Sequence, residues 1–261
     1  MAQEAAVRAQ ARAVPRTIEE AFRGAVAHHR AGNRAEADRI CQDIIARMPN
    51  HAAALHLAGL IAYETGSSAA SVEFMRRAIA ADERVALYHA TLGDAYLALG
   101  DLARAEASYR RAVELDPRSF SSHNSLGLVY RAQKRLEASA AAFREALLVR
   151  PDFAVIWCNL GDVLFAMGLV DDAVECLRRA LAIAPELPRA HNDLGCLYAR
   201  SGDHAEAEAC FARAVALDPD FAVAWRNLGD ALAALGRKGE AEAHYRRSRE
   251  LDPGASAGRP S

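Results

Sequence analysis

A chain of 261 residues, half apolar and one-quarter charged, carries enough non-polar surface to fold by burial, and this excludes a disordered polyelectrolyte. With 32 basic against 34 acidic side chains the formal net charge is −2, which excludes a strong field for nucleic acid or an acidic membrane. Runs of about eighteen apolar residues are absent, and the five cysteines (Cys41, Cys158, Cys176, Cys196, Cys210) form no C-x-x-C pair. Reduced thiols, and with them a cytoplasmic location, are expected; the N-terminus also lacks the apolar core of a secretory signal.

Residues 1–17 form an Ala- and Arg-rich lead-in interrupted at Pro15, partly helical or disordered. At Thr17-Ile18-Glu19-Glu20 the pattern is that of a capping box, so helix is expected from Ile18. From there a 34-residue period runs to 253, with repeats starting at Ile18, Ala52, Ala86, Phe120, Ala154, Pro188 and Ala222. Glycine keeps that period at Gly59, Gly93, Gly127, Gly161, Gly195 and Gly229. The longest near-copies are Trp157-Cys158-Asn159-Leu160-Gly161-Asp162 and Trp225-Arg226-Asn227-Leu228-Gly229-Asp230.

Each repeat divides at a turn marked by Gly32, Gly66, Gly100, Gly168, Gly202 or Gly236, where glycine readily takes the left-handed conformation that ends a helix; Lys134 is the one departure. Each closes near a proline (Pro49, Pro117, Pro151, Pro185, Pro219, Pro253), with Glu83 the exception. Two helices per repeat follow, apolar on one face at helical spacing, as in Leu160, Leu164, Val174, Leu177 and Leu181. Small residues at the glycine series and at Ala37, Ala105, Ala173, Ala207 and Ala241 are expected where two backbones approach closely. An aliphatic series on the second helices ends in Arg249, as expected of a last helix facing solvent, and 254–261 reads as a disordered tail.

Trp225-x2-Leu228-Gly229-x2-Leu232, Ala241-x3-Tyr245 and Pro253 resemble the tetratricopeptide repeat, as do His191, Leu194, Gly195, Tyr198, Ala207, Phe211 and Pro219 with histidine in the tryptophan place. The first repeat departs most, with Ala25 for the glycine and His28 for the tyrosine. The resemblance implies an all-α fold, a right-handed α-solenoid of about seven helix-turn-helix repeats. It also implies that the first helices line a concave groove. The Asn-Leu-Gly copies at Asn159 and Asn227 further resemble the repeat arm of O-GlcNAc-transferase-like, SPINDLY-type proteins, without their catalytic domain.

Catalytic chemistry finds little support. Around Ser256 the tail matches G-x-S-x-G, but no strand and helix can flank it there, and no phosphate loop, dinucleotide fingerprint or H-E-x-x-H occurs. None of the histidines and cysteines are spaced to chelate a metal on one helix face, so neither metal nor cofactor is expected. The series His89, His123 and His191 sits at the tryptophan place and reads as packing.

The groove residues implied by the resemblance are Thr91, Asp94, Asn124, Ser125, Arg131, Asn159, Asp162, Arg189, Asn192, Asp193, Arg200, Arg226, Asn227 and Asp230, with Tyr63, Leu97, Phe165, Cys158 and Cys196 on the same face. Before Leu-Gly the residue is short and polar in five consecutive repeats: Thr91, Ser125, Asn159, Asp193 and Asn227. Such a row either hydrogen-bonds the backbone of an extended peptide or solvates an open face.

The expected function is a non-catalytic scaffold binding a peptide or partner protein in its groove. The alternative is a substrate-recruiting arm or partner subunit of an O-GlcNAc-type glycosyltransferase. RNA binding, a third option, is disfavoured by the near-neutral charge and aromatic-poor groove. On this reading alanine at Asn159 and Asn227 weakens partner binding and leaves melting unchanged.

Overall fold

The computed structural model describes residues 17–253; the expected lead-in through residue 16, and the tail with Ser256, lie outside the described residues. Among those described there is no strand, and helices follow one another in pairs. The chain divides into two compact units, residues 1–117 and 118–261.

The first unit holds α1 (Ile18–Arg30), α2 (Arg34–Arg47), α3 (Ala52–Glu64), α4 (Ser68–Ala81), α5 (Ala86–Ala98) and α6 (Leu102–Leu115). The second holds α7 (Phe120–Ala132), α8 (Leu136–Val149), α9 (Ala154–Ala166), α10 (Val170–Ile183), α11 (Pro188–Ser201), α12 (His204–Leu217), α13 (Ala222–Ala234) and α14 (Lys238–Leu251). Within each unit every odd helix packs on the even helix after it as a hairpin, and each hairpin packs on the next, giving an α-solenoid stack of three hairpins and one of four.

Local chemistry sets these boundaries. The Thr17 hydroxyl accepts from the Glu20 amide at 3.1 Å and the Glu20 carboxylate accepts from the Thr17 amide at 3.2 Å, the reciprocal box that opens α1. Gly32, Gly66, Gly100, Gly168, Gly202 and Gly236 turn the chain inside the hairpins at φ between +75° and +87°. Lys134 does the same at φ 60°, the sole side-chain-bearing residue with positive φ among those described.

In four of the hairpins the glycine of the first helix receives a ring of the second. A Cβ on Gly93, Gly127, Gly195 or Gly229 would lie 2.7, 2.5, 2.7 or 2.6 Å from a ring carbon of Tyr109, Phe143, Phe211 or Tyr245. Gly161 differs: it faces Leu177, whose Cγ would stand 3.3 Å away. Ala37, Ala105, Ala173, Ala207 and Ala241 are buried opposite.

The tryptophan place has a second duty. Trp157 and Trp225 donate Nε1–H to the carbonyls of Pro151 and Pro219 at 2.8 Å, tying each first helix to the close of the preceding repeat. His191 and His89 reach the carbonyls of Pro185 and Glu83 through Nε2 at 2.9 and 3.0 Å. A carbonyl only accepts, so Nε2 carries the proton, and the imidazole reproduces the indole's hydrogen bond as well as its packing.

Gly127→Ala is expected to lower stability by about 1–3 kcal/mol, because the Phe143 ring cannot retreat from a filled core. Gly161→Ala should stay within about 1 kcal/mol of wild type, since Leu177 can shift slightly and alanine gains roughly 1 kcal/mol in helix propensity. Denaturant midpoints of the two variants check the difference.

Candidate functional site

The first helices of the second unit, α7, α9, α11 and α13, present a row of polar side chains, and the hydrogen bonds among them form one connected network. Its hub is Arg189, on the first turn of α11 behind Pro188. One Arg189 Nη donates to Asp162 at 2.6 Å and to the Asn159 carbonyl at 3.1 Å. Its Nε stands 3.3 Å from Asp193 as an ion pair. Arg131 closes on Asp162 from α7 at 3.1 Å.

Asparagines extend the network at a 35-residue offset. The Asn159 amide donates to the Asn124 carbonyl at 3.3 Å, and the Asn227 amide donates to the Asn192 carbonyl at 2.9 Å. Asn192 in turn donates to Asp193 at 3.3 Å. The first unit repeats the offset with other chemistry: His56 lies 3.2 Å from the Thr91 hydroxyl. That hydroxyl already donates its proton to the Leu87 carbonyl at 3.0 Å, so His56 Nε2–H is the donor.

The aspartates at the ninth place of their repeats divide by what faces them. Asp94 accepts from the Tyr109 hydroxyl at 2.6 Å and Asp230 from the Tyr245 hydroxyl at 2.8 Å, a fifteen-residue spacing in both. Asp162 has Leu177 at that spacing, which offers no hydroxyl, and its carboxylate turns to Arg131 and Arg189 instead.

Burial decides what each expected groove residue can do. Thr91, Asn159 and Asn192 are 4%, 3% and 6% exposed, so their polar atoms serve the packing between hairpins before any ligand. Cys158, expected on the open face, is fully buried; the first-helix face is narrower than helical spacing alone suggests, and burial pushes its thiol up to about 12. Asn124, Ser125, Arg131, Asp162, Arg189, Asp193 and Asn227 are half-buried. Arg200, Arg226 and Asp230 are exposed, and among the described residues none of the three has an ion-pair partner. Arg200 lies over the Phe165 ring, 4.4 Å from its centroid.

Beside these last residues is a cavity of about 320 Å³ between α11, α12 and α13, with Arg200, Asn227 and Asp230 on its wall. His204, at the start of α12, also lines it and was not singled out from the sequence. Its signal was weak: a histidine right after the turn residues Gly202-Asp203, at a place no other repeat fills with a titratable ring. A larger cleft of about 690 Å³ opens between α8 and α10, floored by Trp157, Leu160 and Leu164, with Leu148 exposed at its edge.

Two half-buried titrating groups carry opposite signs. Burial, and then the Asp162 charge, push Asp193 up from 3.8 to about 6 against the pull of Arg189. The folded state therefore binds this proton more tightly than the unfolded chain, and the stability it confers is present below about pH 4 and lost as pH rises through 6. Burial lowers His56 from 6.5 to about 4, so its contribution is present above pH 6.5 and lost as pH falls toward 4. Asp193→Asn is expected to stabilise the second unit at pH 7 by about 1–3 kcal/mol and to flatten its dependence between pH 4 and 6. His56→Asn should flatten the acid limb of the first unit alone. Hydrogen exchange, read unit by unit, separates the two.

Family models described as tetratricopeptide repeat match residues 22–85, 91–154 and 192–256, and a second model of that description matches 152–220. No curated protein matches the sequence. Among solved structures the chain is similar to one in the APC/C hetero-tetramer Cut9–Hcn1 (18% identity, 84% of this chain and 44% of that one, TM-score 0.69). It is similar also to PilF of Pseudomonas aeruginosa (20% identity, 78% and 92%, TM-score 0.68). A third is YrrB, described as a TPR protein with an unusual peptide-binding site (24% identity, 71% and 95%, TM-score 0.57). At these identities the likeness is one of fold.

Proposed function

The chain belongs to the tetratricopeptide repeat family, and from that premise we propose that it is a non-catalytic interaction protein whose first-helix face in the second unit holds an extended peptide or partner protein. Such proteins generally act as interaction scaffolds, and assembly of a complex is the role this face suits. The observation that carries the reading is unpaired charge: among the described residues Arg200, Arg226 and Asp230 stand exposed without an ion-pair partner, Arg200 and Asp230 on the wall of a cavity, while Arg131, Asp162, Arg189 and Asp193 are neutralised among themselves. Exposed unpaired charges on a helical frame offer hydrogen bonds to a polypeptide, at an ordering cost of about 0.5–1.5 kcal/mol for each long side chain. YrrB lends support by analogy of fold, since it is described as binding a peptide. A reducing compartment such as the cytoplasm fits five free thiols, of which burial pushes Cys41, Cys176 and Cys196 well above their ordinary range.

The glycosyltransferase-arm alternative needs an asparagine row open to a substrate polypeptide, and Asn159 is 3% exposed. Nucleotide-sugar binding by the purified chain would restore it.

Arg226→Ala with Asp230→Ala is expected to weaken, by roughly tenfold or more, peptides selected from a random display library on the full chain, with the melting temperature unchanged. Asn159→Ala should instead lower stability by about 1–3 kcal/mol, because it leaves the Asn124 carbonyl and one Arg189 proton unmatched. A library that yields no binder, or binders indifferent to Arg226 and Asp230, would overturn the proposed face.

A further inference from the structure

Between neighbouring first helices the fold repeats one rung, in which the fifth place of a repeat meets the sixth place of the next, 35 residues on. Asn124 with Asn159 and Asn192 with Asn227 form it in the second unit, and His56 with Thr91 forms it in the first. The rung between those two asparagine pairs is Cys158 with Asp193. As a hydrogen bond it is broken. Asp193 Oδ2 is buried without a hydrogen-bond partner: Arg189 Nε stands 3.3 Å from it as an ion pair, outside hydrogen-bond geometry. Only Oδ1 is met, by the Asn192 amide at 3.3 Å. Asparagine at the fifth place has both an amide and a carbonyl to offer its neighbour, whereas the fully buried Cys158 has a thiol, a weak donor and a weak acceptor. The two residues feel each other: after burial, the Asp193 charge is the next cause that holds the Cys158 thiol up at about 12.

Charge decides what this gap does. Arg189 and Asp193 share α11, so their attraction adds nothing to the hold of α11 on α9. Asp162, on α9, takes Arg189 across the joint at 2.6 Å and, as a second carboxylate, repels Asp193. An ionised Asp193 therefore works against the joint twice, by repelling Asp162 and by drawing on the arginine that Asp162 holds. It also carries a buried charged oxygen that no donor satisfies. A proton on Asp193 removes both charge effects and lowers the cost of the buried oxygen. The groups around it keep their charge states meanwhile. Burial holds the thiols of Cys158 and Cys196 up at about 12 and about 11, and Arg131 on α7 and Arg226 on α13 are guanidiniums, charged throughout. No group of α10 or α12 is among those that shift Asp193. We propose that Cys158 and Asp193 form a proton-set latch between α9 and α11, closed while Asp193 holds its proton and loosened when it gives the proton up. Burial and the Asp162 charge place that change at about 6. The same proton alters the polar face, because Arg131, Asp162, Arg189 and Asp193 balance when all are charged and leave one positive charge over when Asp193 is neutral. The latch is a property of the chain by itself and stands apart from the peptide-binding reading.

The test follows the aspartate carboxyl carbons of the full chain by NMR as pH is varied, beside hydrogen exchange of α9 and α11 corrected for the intrinsic pH dependence of exchange. Asp193 is expected to titrate near 6. Protected amides of α9 and α11 should exchange roughly tenfold faster at about pH 7.5 than at about pH 5, with a smaller change in α13 and α14. Asp193→Asn, which imitates the protonated group, should abolish that difference. Cys158→Asn puts at the gap the residue that Asn124 and Asn192 supply to the neighbouring rungs; its amide satisfies Oδ2, so Asp193 should titrate well below 6 and the exchange difference should shrink. Should melting show asparagine to be too large for the buried place, Cys158→Ser brings a stronger donor in the volume of the thiol, with the same fall expected. Three results overturn the latch: an Asp193 that titrates in the ordinary carboxylate range, a titration that neither Cys158 variant moves, or exchange that does not change with pH. An exchange difference spread evenly from α7 to α14 overturns it as well, since that marks a loss of overall stability and no local joint.

Discussion

The contact on which the hairpins depend is the seat of a second-helix side chain on a first-helix glycine. With a ring carbon 2.5–2.7 Å from where a Cβ would be, the two backbones stand as close as a ring lying flat against a bare Cα permits. That distance sets how far each first helix stands from its partner, and hence where the next hairpin must pack. The glycine is conformationally ordinary within its helix; its value here is the volume it lacks. The turn glycines are the converse case, valuable for the φ they allow and with open space around them.

Variation in that contact reaches the polar face. Where the seated ring is tyrosine, its hydroxyl crosses the hairpin to the ninth-place aspartate, as at Tyr109 with Asp94 and Tyr245 with Asp230. Leu177 fits its glycine more loosely and has nothing to donate. Asp162 is thereby free for arginine, and Arg189 becomes able to join α9 to α11 while Arg131 joins α7 to α9. A packing substitution in one hairpin and an ion-pair network across three are thus one event seen from two sides. Asp193 bears the burden of that arrangement: it is half-buried near the Asp162 carboxylate, and the pull of Arg189 does not offset its desolvation together with that second charge.

Helices, turns and caps were legible in the sequence because they depend on neighbours a few residues apart. Thr17 with Glu20, the turn glycines and the departure at Lys134 each declare themselves locally, and a fixed period repeats the declaration. The polar face was legible as a set of residues and illegible as a set of contacts. Asn124 with Asn159 and Asn192 with Asn227 stand 35 apart in the sequence, but duplication of a repeat copies residues whether or not they touch. Helical spacing put Cys158 and Asn159 on an open face; how deeply a neighbouring hairpin covers that face depends on side chains from two repeats at once. His204 carried only the weak local signal of its place after Gly202-Asp203, and the cavity it lines exists only once three helices meet.

The division between paired and unpaired polar groups bears on how such a face can recognise anything. A network in which Arg189 holds Asp162, Asp193 and Asn159 fixes the rotamers of long side chains before a ligand arrives, so binding need not meet that entropy again. On the proposed reading, specificity falls to the groups the network leaves out. Were Arg200 and Asp230 also paired, the face would be stiff but featureless; were the network absent, it would be charged but loose. Arg189 and Arg200 lie on the same helix, α11, and Asp230 lies on α13 of the next hairpin, so on the proposed reading the groups left for a ligand stand on a helix that the network already holds in place or on its neighbour.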